Sequence, residues 1–254
     1  MDLQLKNKNV LITGGSKGIG KAIAKAFIEE GANVGIVARS KEQLEKAREE
    51  LGNVRIYEVD ISGREEREQL FHHFLEDFKK VDVLVNNAGG SNGGSAFETE
   101  LDMFYEAMEL NYFAPVHLSK LAGTHMKENG AGNIIQITSI FGRESGGKVT
   151  YNNAKAALIS FTKAFANECI PHNVRVNSIA PGSILHPTGN WQKRLDEHPE
   201  KIKKFIEEEI PAGRFGTVEE VANAVLFLAS PKSSWLVGTS INVDGGQSRM
   251  NFQI

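Results

Sequence analysis

Tyr151 and Lys155 stand four residues apart in Tyr151-Asn152-Asn153-Ala154-Lys155, a stretch that reads as the opening of a helix, so both side chains fall on one face within reach of a common ligand. A free tyrosine titrates near about 10 and is a poor base at neutral pH, but a nearby ammonium favours the phenolate and brings that value down. The pair can therefore give or take a proton. By itself Tyr-x-x-x-Lys is common, and an exposed helix pair is its usual meaning. Context comes from Ser139, twelve residues earlier at the carboxyl end of an expected strand, and from Asn111 within the preceding long helix. Open α/β sheets bind their ligands at that edge.

A second cluster lies near the N-terminus, in Thr13-Gly14-Gly15-Ser16-Lys17-Gly18-Ile19-Gly20, where a first strand turns into a first helix. Only glycine lets a backbone approach a pyrophosphate closely, and the free N–H groups of a helix N-terminus attract its charge. The spacing of Gly14, Gly18 and Gly20 differs from the G-x-G-x-x-G of other dinucleotide sites, and a glycine cluster alone is usually only a turn. Its place between a strand and a helix favours nucleotide binding, with Gly14, Ser16, Lys17, Gly18, Ile19 and Gly20 as the cradle. NAD-preferring sites close the second strand on an acid that accepts from the ribose 2′-OH. Here that strand closes on Ala38-Arg39-Ser40. Arg39 and Ser40, with Lys17, suit a 2′-phosphate, so NADP(H) is expected ahead of NAD(H). The competing reading makes Arg39 and Lys17 solvated surface charges.

The elements that must hold these groups alternate from end to end. Apolar, β-branched runs at 9–13, 33–38, 54–59, 81–86, 133–138, 174–179 and 239–243 read as strands, and patterns at 17–31, 41–51, 64–78, 101–126, 151–170 and 218–229 as helices. A Gly/Ser-rich loop at 89–95 and a charged insertion at 185–211 interrupt the rhythm. Strands this uniformly apolar are expected where helices cover both faces of a parallel sheet. The expectation is one doubly wound α/β domain over residues 1–254 with a seven-stranded parallel sheet, for no linker, repeat or low-complexity tract divides the chain.

Composition narrows the function. A net charge of -3 and a pI near 6.2 give nucleic acid no basic stripe to bind. No run of about 18 apolar residues reads as a membrane span. The single cysteine, Cys169, fits a reducing compartment and a cytoplasmic protein, and its neighbours Phe165 and Ala166 mark it as packed on a helix. The seven histidines form no metal-binding pattern, since His72 and His73 are adjacent and no His-Glu-x-x-His occurs, so no metal is assigned to chemistry.

Taken in order, Thr13-Gly14-x-x-x-Gly18-x-Gly20, Asp60, Asn86-Asn87-Ala88-Gly89, Asn111, Ser139, Tyr151-x-x-x-Lys155, Asn177 and Pro181-Gly182 resemble the short-chain dehydrogenase/reductase family over residues 8–246. Its general pattern is nearest to 3-oxoacyl-[acyl-carrier-protein] reductases. The resemblance implies a Rossmann-like fold in which Tyr151 is the acid/base, Ser139 orients and polarises the substrate oxygen, and Lys155 tunes Tyr151 and holds the nicotinamide ribose. Asn111 would anchor a water relay. Asp60 and Ile61 would meet the adenine, Asn86, Asn87, Ala88 and Gly89 the adjoining ribose region, and Pro181, Gly182 and Ile184 the nicotinamide side. Homotetramers are common in the family, with dimers as the fallback. In two places the chain departs from the pattern. The serine-to-tyrosine interval is one residue short, which leaves Thr138 as a rival to Ser139. His186 stands where a cofactor-gripping Thr is usual, with Thr188 as a substitute after a loop shift and a solvent-facing histidine as the expected reading.

Residues 189–211 read as a substrate-covering lid in which Trp191, Leu195, Ile202, Phe205 and Ile206 fall roughly on one helical face, and that face can equally pack on the protein's own core, as a closed lid does both. The rim residues Glu128, Asn129, His172 and Asn173 offer little positive charge for an acidic carrier protein. A small carbonyl or alcohol is thus the expected substrate, with a carrier-bound 3-oxoacyl group as the alternative. A non-catalytic NADP-binding regulatory protein is the rival from another class, and the intact trio Ser139, Tyr151 and Lys155 speaks against it.

Overall fold

The computed structural model describes residues 1–250. Seven parallel strands, β1 (Asn9–Thr13), β2 (Asn33–Ala38), β3 (Val54–Glu58), β4 (Val83–Asn86), β5 (Gly132–Ile137), β6 (Val174–Pro181) and β7 (Ser240–Val243), form one sheet in the order β3-β2-β1-β4-β5-β6-β7. The helices are α1 (Gly18–Glu29), α2 (Lys41–Leu51), α3 (Arg64–Phe78), α4 (Leu101–Met108), α5 (Ala114–Glu128), α6 (Val149–Cys169), α7 (Asn190–Glu197), α8 (Pro199–Glu209) and α9 (Val218–Ala229).

Alternation along each strand sorts the core into two layers. Val10, Ile12, Val83, Val85, Ile135 and Ile137 pack with α1, α2 and α9 on one face, while Leu11, Leu84 and Ile134 pack with α3, α5 and α6 on the other. Helices on both faces explain why the strands carry no polar side, and Phe27 and Phe74, each fully buried, anchor the two layers. Removing either ring would leave a cavity worth roughly 3–5 kcal/mol.

One expected helix is broken, and the single apolar face expected of the insertion is divided. The pattern at 101–126 runs as α4 and α5 joined by one π turn, Glu109–Phe113, because the Asn111 amide donates to the Ala107 carbonyl four residues back and also to the Gly90 carbonyl of a neighbouring loop. The insertion carries two short helices instead of one continuous face. Pro199 forces the break: it disfavours a helical residue before it, His198 sits at φ -142° and ψ 61°, and the proline then takes the first position of α8, where its missing N–H is not needed.

Candidate active site

The strand order reverses between β1 and β4, which opens a crevice at the carboxyl ends of the strands. Thr13, Asn86 and Pro181 end β1, β4 and β6 at this edge, and Ser139 lies two residues beyond β5.

At the β1 end the backbone is held for close approach. Gly14 has φ +67°, and a Cβ there would lie 2.8 Å from Asn87 Nδ2 and 2.9 Å from Ala88 Cα. A Cβ on Gly20 would collide with the Gly14 carbonyl oxygen. The loop is pinned to the β4 end: the Asn87 and Ala88 amides each donate to Thr13 Oγ1 at 3.0 Å, and Asn87 Nδ2 donates to the Thr13 and Gly14 carbonyls at 3.0 and 3.1 Å. Helix α1 then starts with no side-chain cap and no acid in its first turn, so its leading N–H groups face the loop unclaimed by any side chain. A glycine cradle ahead of an uncapped helix fits the pyrophosphate of a dinucleotide. Ser16 is buried and Ile19 half-buried in this loop, while Lys17 is exposed beside them.

The second-strand residues lie along the same crevice. Arg39 is exposed, with its guanidinium 3.9 Å from Asp60 Oδ2, a loose pair in solvent. Ser40 Oγ accepts from the Gln43 amide and caps α2. Asp60 Oδ1 accepts from the Ser62 amide and closes a turn, and Ile61 is buried beneath it.

At the centre of the edge, Tyr151 is the third residue of α6 and Lys155 follows one turn later. Lys155 is buried, its Nζ donates to the Ile137 carbonyl at 2.8 Å, and it lies 5.5 Å from the centroid of the Tyr151 ring. Burial pulls the Lys155 ammonium down to about 8. Burial likewise pushes the Tyr151 phenol up to about 12, opposed by its hydrogen bond with Ser139. The rival hydroxyl is placed elsewhere: Thr138 Oγ1 donates to the Ile179 carbonyl at 2.8 Å, so its proton is committed to β6 and Ser139 alone of the two faces Tyr151. Asn111 is fully buried within the π turn, where Oδ1 accepts from the Gly90 amide and Nδ2 donates to the Gly90 carbonyl, at 3.1 and 3.0 Å. Gly89 threads between these groups; a Cβ there would lie 2.7 Å from Asn111 Oδ1 and 3.3 Å from Lys155 Nζ.

The remaining residues of the motif set are supports. Asn86 points its amide away from the crevice, to Ser119 Oγ and the Pro115 carbonyl of α5. Asn177 ties β6 to the chain ahead of β7 through the Leu236 carbonyl and the Thr239 amide. Gly182 leaves β6 with its amide donating to the Val243 carbonyl, and Ile184 is buried on the far side of the crevice. Cys169 is buried and its thiol is pushed up to about 11 by burial, the state of a packed, unreactive side chain.

The structure corrects the reading of His186. His186 does not face solvent: it is half-buried with its ring against Gly18. The apolar side of the insertion packs together, as a lid in its closed state also would: Trp191 stacks on Phe205 at 4.7 Å and lies 5.1 Å from Phe215, with Ile202 and Ile210 buried among them. One supporting residue escaped the sequence reading altogether. Arg67 of α3 is buried, and its guanidinium reaches the Ile61 carbonyl at 2.7 Å, Glu109 at 2.6 Å and His117 Nδ1 at 3.1 Å. It joins the segment after β3 to the first residue of the π turn that carries Asn111. The signal was present, since Arg67 shares the helix face of Leu70, Phe71 and Phe74.

A sheet with this switch point, edged by Ser139, Tyr151 and Lys155 and a glycine cradle, is the architecture of a nucleotide-dependent oxidoreductase. A family model described as enoyl-(acyl carrier protein) reductase matches residues 14–248. A 3-oxoacyl-[acyl-carrier-protein] reductase FabG of Chlamydia pneumoniae is 36% identical over 251 residues, 97% of this chain and 99% of that protein. L-sorbose reductase from Gluconobacter frateurii, solved with NADPH and L-sorbose, is 33% identical with a TM-score of 0.91 over 98% of this chain and all of that one. A 7 alpha-hydroxysteroid dehydrogenase, solved with NADH and 7-oxo glycochenodeoxycholic acid, is 35% identical with a TM-score of 0.89 over 98% of this chain and 97% of that one. The chain belongs to the short-chain dehydrogenase/reductase family of oxidoreductases. Among the described residues no helix is long and apolar enough to cross a membrane.

Proposed function

We propose that this protein interconverts a carbonyl and an alcohol on a small organic substrate, with NADP(H) as cofactor and Tyr151 as the acid/base. The observation that carries the reading is the buried Lys155 ammonium, tied to the Ile137 carbonyl and held 5.5 Å from the Tyr151 ring centroid at the strand edge where Ser139 follows β5. The nicotinamide supplies or accepts the hydride at carbon. In the reducing direction Tyr151 gives its hydroxyl proton to the carbonyl oxygen, Ser139 holds that oxygen in place, and Lys155 stabilises the phenolate left behind. A phenol pushed up to about 12 is protonated at neutral pH, so the resting site is poised as an acid. Asn111, locked to both backbone groups of Gly90, keeps the loop that passes Lys155 in position for reprotonation.

NADP(H) is favoured by Arg39 and Lys17 and by the lack of an acid at the close of β2. The relatives take, by their names, carrier-bound acyl groups, a sugar and a steroid at nearly equal identity, so similarity does not choose the substrate. The expectation that Glu128, Asn129, His172 and Asn173 rim the site is overturned, because they lead into the amino ends of β5 and β6 at the edge opposite the crevice, and their charge does not weigh for or against an acidic carrier. A reducing, cytoplasmic setting suits the lone buried thiol.

The test is Tyr151→Phe, assayed by NADPH oxidation over a panel of sugars, steroids, simple ketones and 3-oxoacyl thioesters. Wild type turns over at least one of them, and the variant loses roughly 10²–10⁴-fold in kcat while keeping its cofactor affinity. A variant with near-normal turnover, with hydride transfer rate-limiting, would refute the role given to Tyr151.

A further inference from the structure

Arg67 carries a charge on a helix face whose other members, Leu70, Phe71 and Phe74, are apolar and buried, and the guanidinium lies 95% out of solvent with them. A buried ion pair is a poor source of stability, because desolvation consumes most of its Coulomb gain, and an apolar residue at such a position is often as stable. What the fork of donors can do and an apolar residue cannot is fix several segments in one arrangement. Nη1 donates to the Ile61 and Ser62 carbonyls at 2.7 and 3.4 Å and to Glu109 Oε1 at 2.6 Å, and Nε donates to His117 Nδ1 at 3.1 Å. Burial first, and the Arg67 charge next, hold His117 below its ordinary range, which keeps Nδ1 an acceptor.

Glu109 and His117 stand on opposite sides of the π turn: Glu109 is its first residue, and His117 belongs to α5, which follows it. At about 100° per residue, the eight positions between them would leave the two side chains about 80° apart around an unbroken α-helix. A π turn closes its hydrogen bond one residue later and so absorbs one residue, which brings the pair to within about 20° of one line. One guanidinium meets both because the turn is π. The same extra residue sets the direction of Asn111, which lies inside the turn and must meet Gly90.

We propose that Arg67 is a positioning residue of the reaction: by clasping Glu109 and His117 across the π turn, and anchoring both to the Ile61 and Ser62 carbonyls, it holds the helix register that points Asn111 at Gly90. It acts on the chemistry only through Asn111 and the loop that passes Lys155, and in this it rests on the carbonyl-reducing function proposed above. With the clasp opened, the turn can relax toward the α register, Asn111 leaves Gly90, and reprotonation of Tyr151 slows while the cofactor's own contacts stay in place.

The experiment compares the full-length wild type with Arg67→Met, which suits the apolar face, and with Glu109→Gln, at a partly exposed position that tolerates the change. Amide hydrogen exchange over residues 107–115 of the free proteins reads the register without turnover, and should be faster in both variants. With NADPH and a panel carbonyl that wild type reduces, kcat should fall about tenfold to hundredfold, as expected of a misplaced group, while KM for NADPH stays within about twofold. The solvent deuterium isotope effect on kcat should rise, because proton delivery becomes limiting. Exchange as slow as in wild type would overturn the inference, and so would a loss of kcat that came with a raised KM and an unmoved solvent isotope effect, the mark of a merely structural residue. If Arg67→Met does not fold, Glu109→Gln decides by the same criteria. If wild type reduces no carbonyl of the panel, the proposed function falls, and exchange alone upholds or overturns the register.

Discussion

Replacing Lys155 by Met removes one charge from the site while keeping most of the side chain's length and its apolar stem. Lys155 is pulled down to about 8 by burial, so at pH 7 it is still about nine-tenths ammonium. That charge sits 5.5 Å from the Tyr151 ring centroid, and at an effective dielectric constant of about 20 it favours the phenolate by about 3 kcal/mol. Alcohol oxidation, which must start from the phenolate, should then slow on the order of a hundredfold at fixed pH, and its rise with pH should move to more alkaline values. Carbonyl reduction, which starts from the neutral phenol, should lose less in the proton step. Stability should move the other way. The folded value of about 8 lies below the ordinary 10.5, so the buried charge is a cost of about 3 kcal/mol at neutral pH, relieved only as pH rises from about 8 towards 10.5. The bond to the Ile137 carbonyl offsets about 1.5–3 kcal/mol of that cost, so Lys155→Met should unfold at the same temperature as wild type or higher. The assay pairs forward and reverse turnover from pH 6 to 10 with thermal unfolding at pH 7. An oxidation rate within threefold of wild type with an unmoved pH profile would refute the electrostatic role, and a fall in melting temperature of several degrees would refute the claim that the charge is held at a cost.

Cofactor choice should reverse in Ala38→Asp combined with Arg39→Ala, because a carboxylate at the close of β2 accepts from ribose hydroxyls and repels a 2′-phosphate. Wild type should prefer NADPH by about tenfold to hundredfold in kcat/KM, and equal use of both cofactors would make Arg39 a surface charge only. The exposed faces of α4 and of the π turn, with Leu101, Tyr105 and Phe113 at 63, 65 and 49% exposure, are apolar enough to expect a homotetramer, or failing that a dimer, at micromolar concentration; light scattering that gave a monomer would contradict it.

The sequence announced the sheet because a parallel strand covered on both faces can carry no polar side, and each of the seven expected strands is present within two residues of its ends. It announced the catalytic edge for a related reason: Ser139, Tyr151 and Lys155 are placed by one strand end and one helix, so their spacing is a local property. What it did not announce depends on contacts between distant segments. The π turn exists because Asn111 bonds to Gly90, 21 residues earlier, and periodicity alone reads the same stretch as a plain helix. The break at Pro199 was legible from the proline itself, and the apolar pattern across it concealed the signal. Arg67 reads as a solvated helix charge until its face is compared with that of Leu70 and Phe74, and its partners come from three other elements. His186 is the limiting case. The residue that makes room for it is Gly18, 168 positions away in the chain, and that glycine looks fully explained by the phosphate cradle to which it belongs. A glycine required for two reasons at once shows only one of them in the sequence, and the second appears when the imidazole is found resting on it.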